Sequence, residues 1–382
     1  MTGPAAPPIR VLVVDDSAVM RRIIALSLGK HPGIEVAGFA SNGLEAIEAV
    51  GQLKPDLVTL DIEMPEMDGL AALREIRKAE RRMPIIMFST LTHKGAQATI
   101  LALTRGASDY VEKPGSGSID MEGSFAVLAS ELIPKVLALG GRYKAVRTAA
   151  ATHDPVSPMA AAPAATALAA PVPGALAPPV LRPARGVRFA RALCIGVSTG
   201  GPVALMDLFA QLEGPLTVPI FIVQHIPASF SALLAARLST AGEIEVREAQ
   251  EGDIVRPGLA YLAPGDRHMM VERTADAVVI RLNQAPHENS CRPSVDVLMR
   301  SAARVYGNEL LAVMMTGMGS DGLLGCQEVS ERNGQIIVQD EESSVVWGMP
   351  GAVARAQLAE AIVPLSELGQ SILSRITRVR SA

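Results

Sequence analysis

Ala192-Leu193-Cys194-Ile195-Gly196-Val197-Ser198-Thr199-Gly200-Gly201-Pro202 decides how the second half of the chain is read. The apolar run from Ala192 has the character of a buried strand. Val203-Ala204-Leu205-Met206-Asp207-Leu208-Phe209 follows it with helical spacing. A serine among glycines at a strand-to-helix turn carries an exposed hydroxyl with backbone N–H groups close by. Such a turn can present a nucleophile and hold an oxyanion. The same glycines would also suit an anion-binding turn or a tight connection, so the rest of the chain must discriminate.

Two more apolar runs end in chemistry-bearing residues. Val218-Pro219-Ile220-Phe221-Ile222-Val223 leads to Gln224-His225-Ile226-Pro227, and Glu309-Leu310-Leu311-Ala312-Val313-Met314-Met315 leads to Thr316-Gly317-Met318-Gly319-Ser320-Asp321-Gly322. In a parallel sheet the C-terminal strand ends share one edge, which would bring Ser198, His225 and Asp321 together. A serine hydroxyl is a weak nucleophile until an imidazole takes its proton, and the imidazole needs a carboxylate to orient it and stabilise its cation. Of six histidines, only His225 terminates a long apolar strand. A hydrogen-bonded structural histidine is its alternative reading, and a helix N-cap ahead of Leu323 is that of Asp321. The chain order Ser…His…Asp differs from the Ser…Asp…His order of α/β-hydrolases, so the GxSxG match does not carry that fold with it. Between these strands, Glu245 to Leu282 alternates short β-like runs with Pro257-Gly258 and Pro264-Gly265 turns. That pattern predicts hairpins added at a sheet edge rather than βα units.

The first half reads as βαβαβαβα. Val11-Leu12-Val13-Val14 ends in Asp15-Asp16, and Pro55 to Asp61 ends in an acid. Pro84-Ile85-Ile86-Met87-Phe88 ends at Ser89-Thr90, and Asp109-Tyr110-Val111 runs into Glu112-Lys113-Pro114. A final helix is expected between Ser124 and Leu139. The order predicts an open parallel sheet covered by helices, with Asp15, Asp16, Asp61, Ser89 and Lys113 at the strand ends where such sheets bind ligands. Clustered carboxylates repel one another unless a cation joins them, and hard oxygen ligands favour Mg²⁺. A lysine and a hydroxyl are what a phosphoryl group on Asp61 would need around it. Polar loop ends without a ligand are the bland alternative for any one of these residues.

From about Arg147 to Arg185 the pattern collapses into Ala and Pro, which reads as a linker partly in polyproline II form. Arg182, Arg185, Arg188 and Arg191 make a basic approach to the second domain, either solvated or docked on the first. The chain has 382 residues, with Lys+Arg 35 against Asp+Glu 39. That near-neutral balance, without a basic recognition helix, speaks against nucleic-acid binding. The first residues show no basic n-region followed by an apolar h-region, and no apolar stretch reaches membrane-spanning length, so a soluble cytoplasmic protein is expected. Cys194, Cys291 and Cys326 are too few and too oddly spaced for a disulfide framework, and buried free thiols are expected.

Asp15-Asp16, Asp61, Met64-Pro65-Glu66-Met67-Asp68-Gly69, Ser89, Tyr110 and Lys113-Pro114 resemble response-regulator receiver domains over about residues 9–140. The resemblance implies Asp61 as phosphoacceptor, with Mg²⁺ on Asp15, Asp16, Asp61 and the carbonyl of Glu63. It implies Ser89 and Lys113 on the phosphoryl oxygens, Tyr110 as a switch aromatic, and a cis Lys113-Pro114 peptide. Ile195 to Pro202, Gln224 to Pro227, Cys291-Arg292-Pro293-Ser294-Val295-Asp296 and Thr316 to Gly322 resemble the protein-glutamate methylesterase domain of chemotaxis, the CheB family, over about residues 188–380. That resemblance implies Ser198 as nucleophile, His225 as base and Asp321 as its orienting acid, with the N–H of Met318 and that of Thr199 as oxyanion hole and no cofactor for the esterase. It further implies chemotaxis receptors as substrates, with glutamine deamidation in some members, and a chemotaxis histidine kinase as phosphodonor. The unphosphorylated receiver is then expected to cover the active-site edge.

The expected fold class is α/β: two doubly wound parallel-sheet domains, a receiver at 9–140 and a Rossmann-like methylesterase domain at 187–382 with an added β-hairpin region, joined by an Ala/Pro-rich linker at 141–186. A non-catalytic two-component signalling protein that binds receptors or adaptors is the alternative from another class. An intact Ser-His-Asp set speaks against it, since a pure binder has no need of three matched strand ends.

Overall fold

Ser17, Asn42, Asp68 and Thr92 each accept a backbone N–H three residues on, and each marks where a strand of the first sheet gives way to a helix. Such a cap contributes about 1 kcal/mol and ends the preceding loop at a defined residue. The elements so ordered are β1 (Ile9–Val14), α1 (Ala18–Leu28), β2 (Ile34–Ala40), α2 (Gly43–Leu53), β3 (Leu57–Asp61), α3 (Gly69–Ala79), β4 (Ile85–Ser89), α4 (His93–Thr104), β5 (Asp109–Glu112) and α5 (Met121–Ala151). The structure, a computed structural model, describes residues 7–90, 92–113, 121–151, 181–183, 189–214 and 216–376. The first sheet is parallel in the order β2-β1-β3-β4-β5. Asp15, Asp61, Ser89 and Lys113 therefore lie along one edge.

α5 departs from the expectation at both ends. It begins at Met121 and runs to Ala151, so the expected linker boundary at residue 141 falls inside a helix. The extra turns are tied to the receiver by side chains. Arg147 pairs with Asp56 at 2.6 Å, and Lys144 donates to the carbonyls of Pro7 and Pro8. Most of the remaining linker, and the Lys113-Pro114 peptide, lie outside the described residues. Arg182 is seated on the second unit, with its backbone N–H on Ala359 O and its guanidinium on Ser330 Oγ.

The second unit comprises β6 (Ala192–Val197), α6 (Gly201–Gln211), β7 (Ile220–Gln224), α7 (Ala228–Leu238), β8 (Glu245–Glu248), β9 (Leu259–Leu262), β10 (His268–Arg273), β11 (Val278–Asn283), α8 (Val295–Tyr306), β12 (Leu310–Met314), α9 (Leu323–Glu331), β13 (Gln335–Gln339), α10 (Met349–Arg355), β14 (Ala361–Val363) and α11 (Leu365–Leu373). Its main sheet is parallel throughout, in the order β14-β13-β12-β6-β7-β9-β8. Strand alternation splits the core. Leu193, Ile195 and Val197 pack with Leu205 and Leu208 of α6, whereas Ala192 and Cys194 pack with Leu298 and Met299 of α8. Helices thus cover both faces, as a doubly wound sheet requires.

The middle region corrects the sequence reading in part. β10 and β11 do form an antiparallel hairpin outside the main sheet, but β8 and β9 join that sheet as parallel strands. All four residues of β9 are buried, which suits a strand covered on both faces. The two units meet through apolar surface: α4 packs on α6 and α7, and one buried cluster runs from Ile100 and Tyr110 to Phe230 and Leu234.

Candidate active site

β12, β6 and β7 are adjacent, and β6 is the strand at which the order reverses. Open α/β sheets bind ligands at such a reversal. Ser198 follows β6 and His225 follows β7. They are held at the edge by Ser198 N–H on Thr316 O at 2.9 Å and His225 N–H on Val197 O at 3.2 Å. Gly317 runs so close to Ser198 that a Cβ there would stand 2.9 Å from the serine Cβ. Only glycine fits that crossing.

His225 Nε2 lies 2.8 Å from Asp321 Oδ2. Asp321 is buried and takes donors from elsewhere: Ser294 Oγ and Val295 N–H at 2.7 Å, and Asn289 Nδ2 at 2.9 Å. The N-cap reading of Asp321 thus acquires a different target. It caps the N-terminus of α8, not α9, whose own N-cap is Gly322. Burial alone would raise the Asp321 carboxyl, but the His225 ring, Ser294 and the Val295 N–H outweigh it and hold it at about 2. Burial opposes charge on His225, yet Asp321 and Cys291 lift the imidazole to about 9. The other ring nitrogen, Nδ1, meets Cys291 Sγ at 3.6 Å.

Ser198, Thr199, His225 and Met318 open on a cavity of about 820 Å³ whose far wall belongs to the receiver, with Asp109, Tyr110, Glu131 and Lys135. Tyr110 lies flat on Phe230, with ring centroids 4.9 Å apart. Burial raises the Asp109 carboxyl, and Lys135, the Tyr110 N–H and the Thr199 side chain pull it back.

In the receiver, Lys113 Nζ stands 2.9 Å from Asp15 Oδ2 and 2.7 Å from Asp61 Oδ2. Ligand oxygens of Asp15, Asp16 and Asp61 lie within 4.8 Å of one another. Ser89 and Glu63 line the same small pocket. Burial pushes Asp61 up to about 6 despite Lys113, and Asp15 adds to the rise.

A family model described as CheB methylesterase matches residues 193–372, and one described as response regulator receiver domain matches residues 11–119. A protein of Nocardioides sp. strain JS614 named protein-glutamate methylesterase/protein-glutamine glutaminase is 48% identical over 98% of this chain and 97% of its own length. The chain belongs to the CheB family. A CheB relative of the same name from Trichodesmium erythraeum is 43% identical over 97% of this chain and 99% of its own. The crystal structure of the Thermotoga maritima CheB methylesterase catalytic domain is 36% identical, covering 48% of this chain and 97% of that one at a TM-score of 0.47.

Several residues of this CheB site escaped the sequence reading. Ser294 and Asp296 stood in a quoted motif without a role, and no local signal marked Asn289, Asp109 or Phe230. The thiols need a correction too. Cys194 and Cys326 are buried as expected, but Cys291 is only half-buried, because its loop forms part of the rim of the Ser198 cavity. Among the described residues, no helix is long and apolar enough to cross a membrane.

Proposed function

We propose that this chain is a phosphorylation-gated protein-glutamate methylesterase of chemotaxis receptors, with receptor glutamine deamidation as a second activity. The observation that carries it is the 2.8 Å His225–Asp321 pair beside the Ser198 turn. Asp321 fixes Nε2 as the protonated nitrogen and leaves Nδ1 to serve as base. Nδ1 takes the Ser198 proton as Oγ attacks the γ-carbonyl of a glutamyl methyl ester. The tetrahedral oxyanion is received by the backbone N–H groups of Thr199 and Met318. Among the described residues neither has an intramolecular acceptor, which supports that role. Each such donor contributes about 3 kcal/mol to the transition state. The imidazolium returns the proton to the departing methoxide, releasing methanol. Water activated by His225 then frees the glutamate and regenerates Ser198. With glutamine the leaving group is ammonia.

The receiver supplies the gate. Asp61 accepts a phosphoryl group from a chemotaxis histidine kinase, with Ser89 and Lys113 positioned for its oxygens. The donor set fits Mg²⁺: of three clustered carboxylates Lys113 pairs with Asp15 and Asp61, so negative charge remains uncompensated, and every ligand atom is a hard oxygen. Asp15, Asp16, Asp61 and the Glu63 carbonyl would hold the ion, which neutralises charge during transfer. The Tyr110 side of the receiver covers the Ser198 cavity, and we infer that phosphorylation loosens it.

Methanol release from methylated receptor membranes tests the reading. Wild type should release methanol and Ser198→Ala should not; equal release by both would overturn it.

A further inference from the structure

His225 Nδ1 and Cys291 Sγ approach to 3.6 Å on the rim of the catalytic cavity. A tetrahedral zinc with bonds of about 2.3 Å to sulfur and about 2.0 Å to imidazole nitrogen holds those two atoms about 3.6 Å apart. The remaining groups complete the pattern. Asp321 sits on the opposite ring nitrogen, the place a carboxylate takes behind a metal-bound histidine, where it fixes the ring and raises its basicity. That carboxylate is itself anchored by Ser294 and the N-terminus of α8, so the ring has little freedom to turn away. Side-chain ligand atoms of His225, Cys291 and Asp321 all lie within 4.8 Å of one another. The adjoining cavity gives an ion its entry path and room for water at the open positions.

We propose that His225 Nδ1 and Cys291 Sγ form an inhibitory site for a thiophilic divalent cation such as Zn²⁺. Binding forms one metal–nitrogen and one metal–sulfur bond, and two protons leave to solvent, one from the thiol and one from Nδ1 of the protonated imidazole. The metal occupies the lone pair that would accept the Ser198 proton, so the base is blocked while the protein stays folded. The two cation clusters of this chain then differ in selectivity. The receiver cluster is all oxygen and suits Mg²⁺, whereas the nitrogen–sulfur pair suits Zn²⁺ or Co²⁺ and rejects Mg²⁺. Neither of the other two cysteines is paired with an imidazole among the described residues: Cys326 faces Met299 Sδ, and Cys194 is enclosed in the core.

The inhibitory consequence rests on the esterase reading, but the site itself can be tested without it. Full-length protein in excess Mg²⁺ is titrated with Co²⁺ alone. A thiolate-to-cobalt charge-transfer band should grow in wild type, vanish in Cys291→Ser, and be reversed by Zn²⁺ competition. No band in wild type, or an undiminished band in Cys291→Ser, overturns the site whether or not the protein releases methanol. In the methanol assay, with each protein normalised to its own rate in EDTA, half-inhibition of Cys291→Ser should need at least ten times more Zn²⁺ than wild type. Cys291→Ala should behave as Cys291→Ser does. Equal zinc sensitivity of all three proteins would overturn the inhibitory role.

Discussion

Tyr110 of the receiver and Phe230 of the catalytic unit stack with their ring planes 13° apart and their centroids at 4.9 Å. Tyr110 lies on β5, which leads directly to Lys113 and its ion pair with Asp61. Phe230 stands on α7, which begins three residues after His225. The stack is therefore a direct packed contact between the strand that leads to Lys113 and the helix that follows His225.

An aromatic pair of this kind is worth about 0.5–1.5 kcal/mol beyond its area. Phe230→Leu keeps apolar volume but removes the stack, and should raise unphosphorylated activity by roughly two- to tenfold while shrinking the phosphodonor response. Methanol release with and without a small-molecule phosphodonor measures both.

Asp61→Asn removes the carboxylate proposed as phosphoacceptor and leaves the Ser198 edge intact. Basal methanol release should survive, and stimulation by phosphodonor should disappear. A mutant stimulated as strongly as wild type would exclude Asp61 as the acceptor.

The His225–Asp321 pair carries a definite pH signature. His225 is raised from 6.5 to about 9, so its contribution to stability is complete below about pH 6.5 and lost as pH rises through 9. Asp321 is lowered from 3.8 to about 2, so its contribution is complete above about pH 3.8 and lost as pH falls through 2. The Tm difference between wild type and His225→Gln should therefore be widest near pH 5–6 and narrow by pH 9.5. Basal kcat/KM should rise with pH towards 9, because only the neutral imidazole can take the serine proton. A profile already flat from pH 6 upward would contradict the raised imidazole.

Gly317→Ala would drive a methyl group into Met349 and to 2.9 Å from the Ser198 Cβ. A displacement of the nucleophile by about 1 Å can cost about a hundredfold in rate. The expected result is a kcat loss of that order with KM little changed and the far-ultraviolet dichroism intact.

Gly69→Ala should act on stability instead. Its methyl group would overlap the Asp61 carbonyl, and overpacking of this kind costs about 1–3 kcal/mol. A urea midpoint equal to that of wild type would show that the loop after β3 yields.

Much of this protein was legible in the order of its residues. Strand period, apolar runs and turn chemistry are local properties. They placed Ser198, His225 and Asp321, and likewise Asp15, Asp61, Ser89 and Lys113, at strand ends before any contact was known. Parallel pairing then does the rest, since adjacent strands bring their ends to one edge. The limit of that logic appears wherever a partner comes from a distant element. His225 and Cys291 are 66 positions apart, and their 3.6 Å approach depends on how the loop before α8 folds over β7. Asp321 has a local helix cap as its alternative reading, yet it caps a helix that begins 26 residues earlier, because α8 is packed against the edge it serves. The parallel placement of β8 and β9 was hidden because short strands look alike whether they pair in a hairpin or in a sheet. Sequence alone determined which chemical groups this protein carries to its sheet edges. Tertiary packing decided which of them touch, and with that the ionisation of His225, the covering of Ser198 and the thiol set against the base.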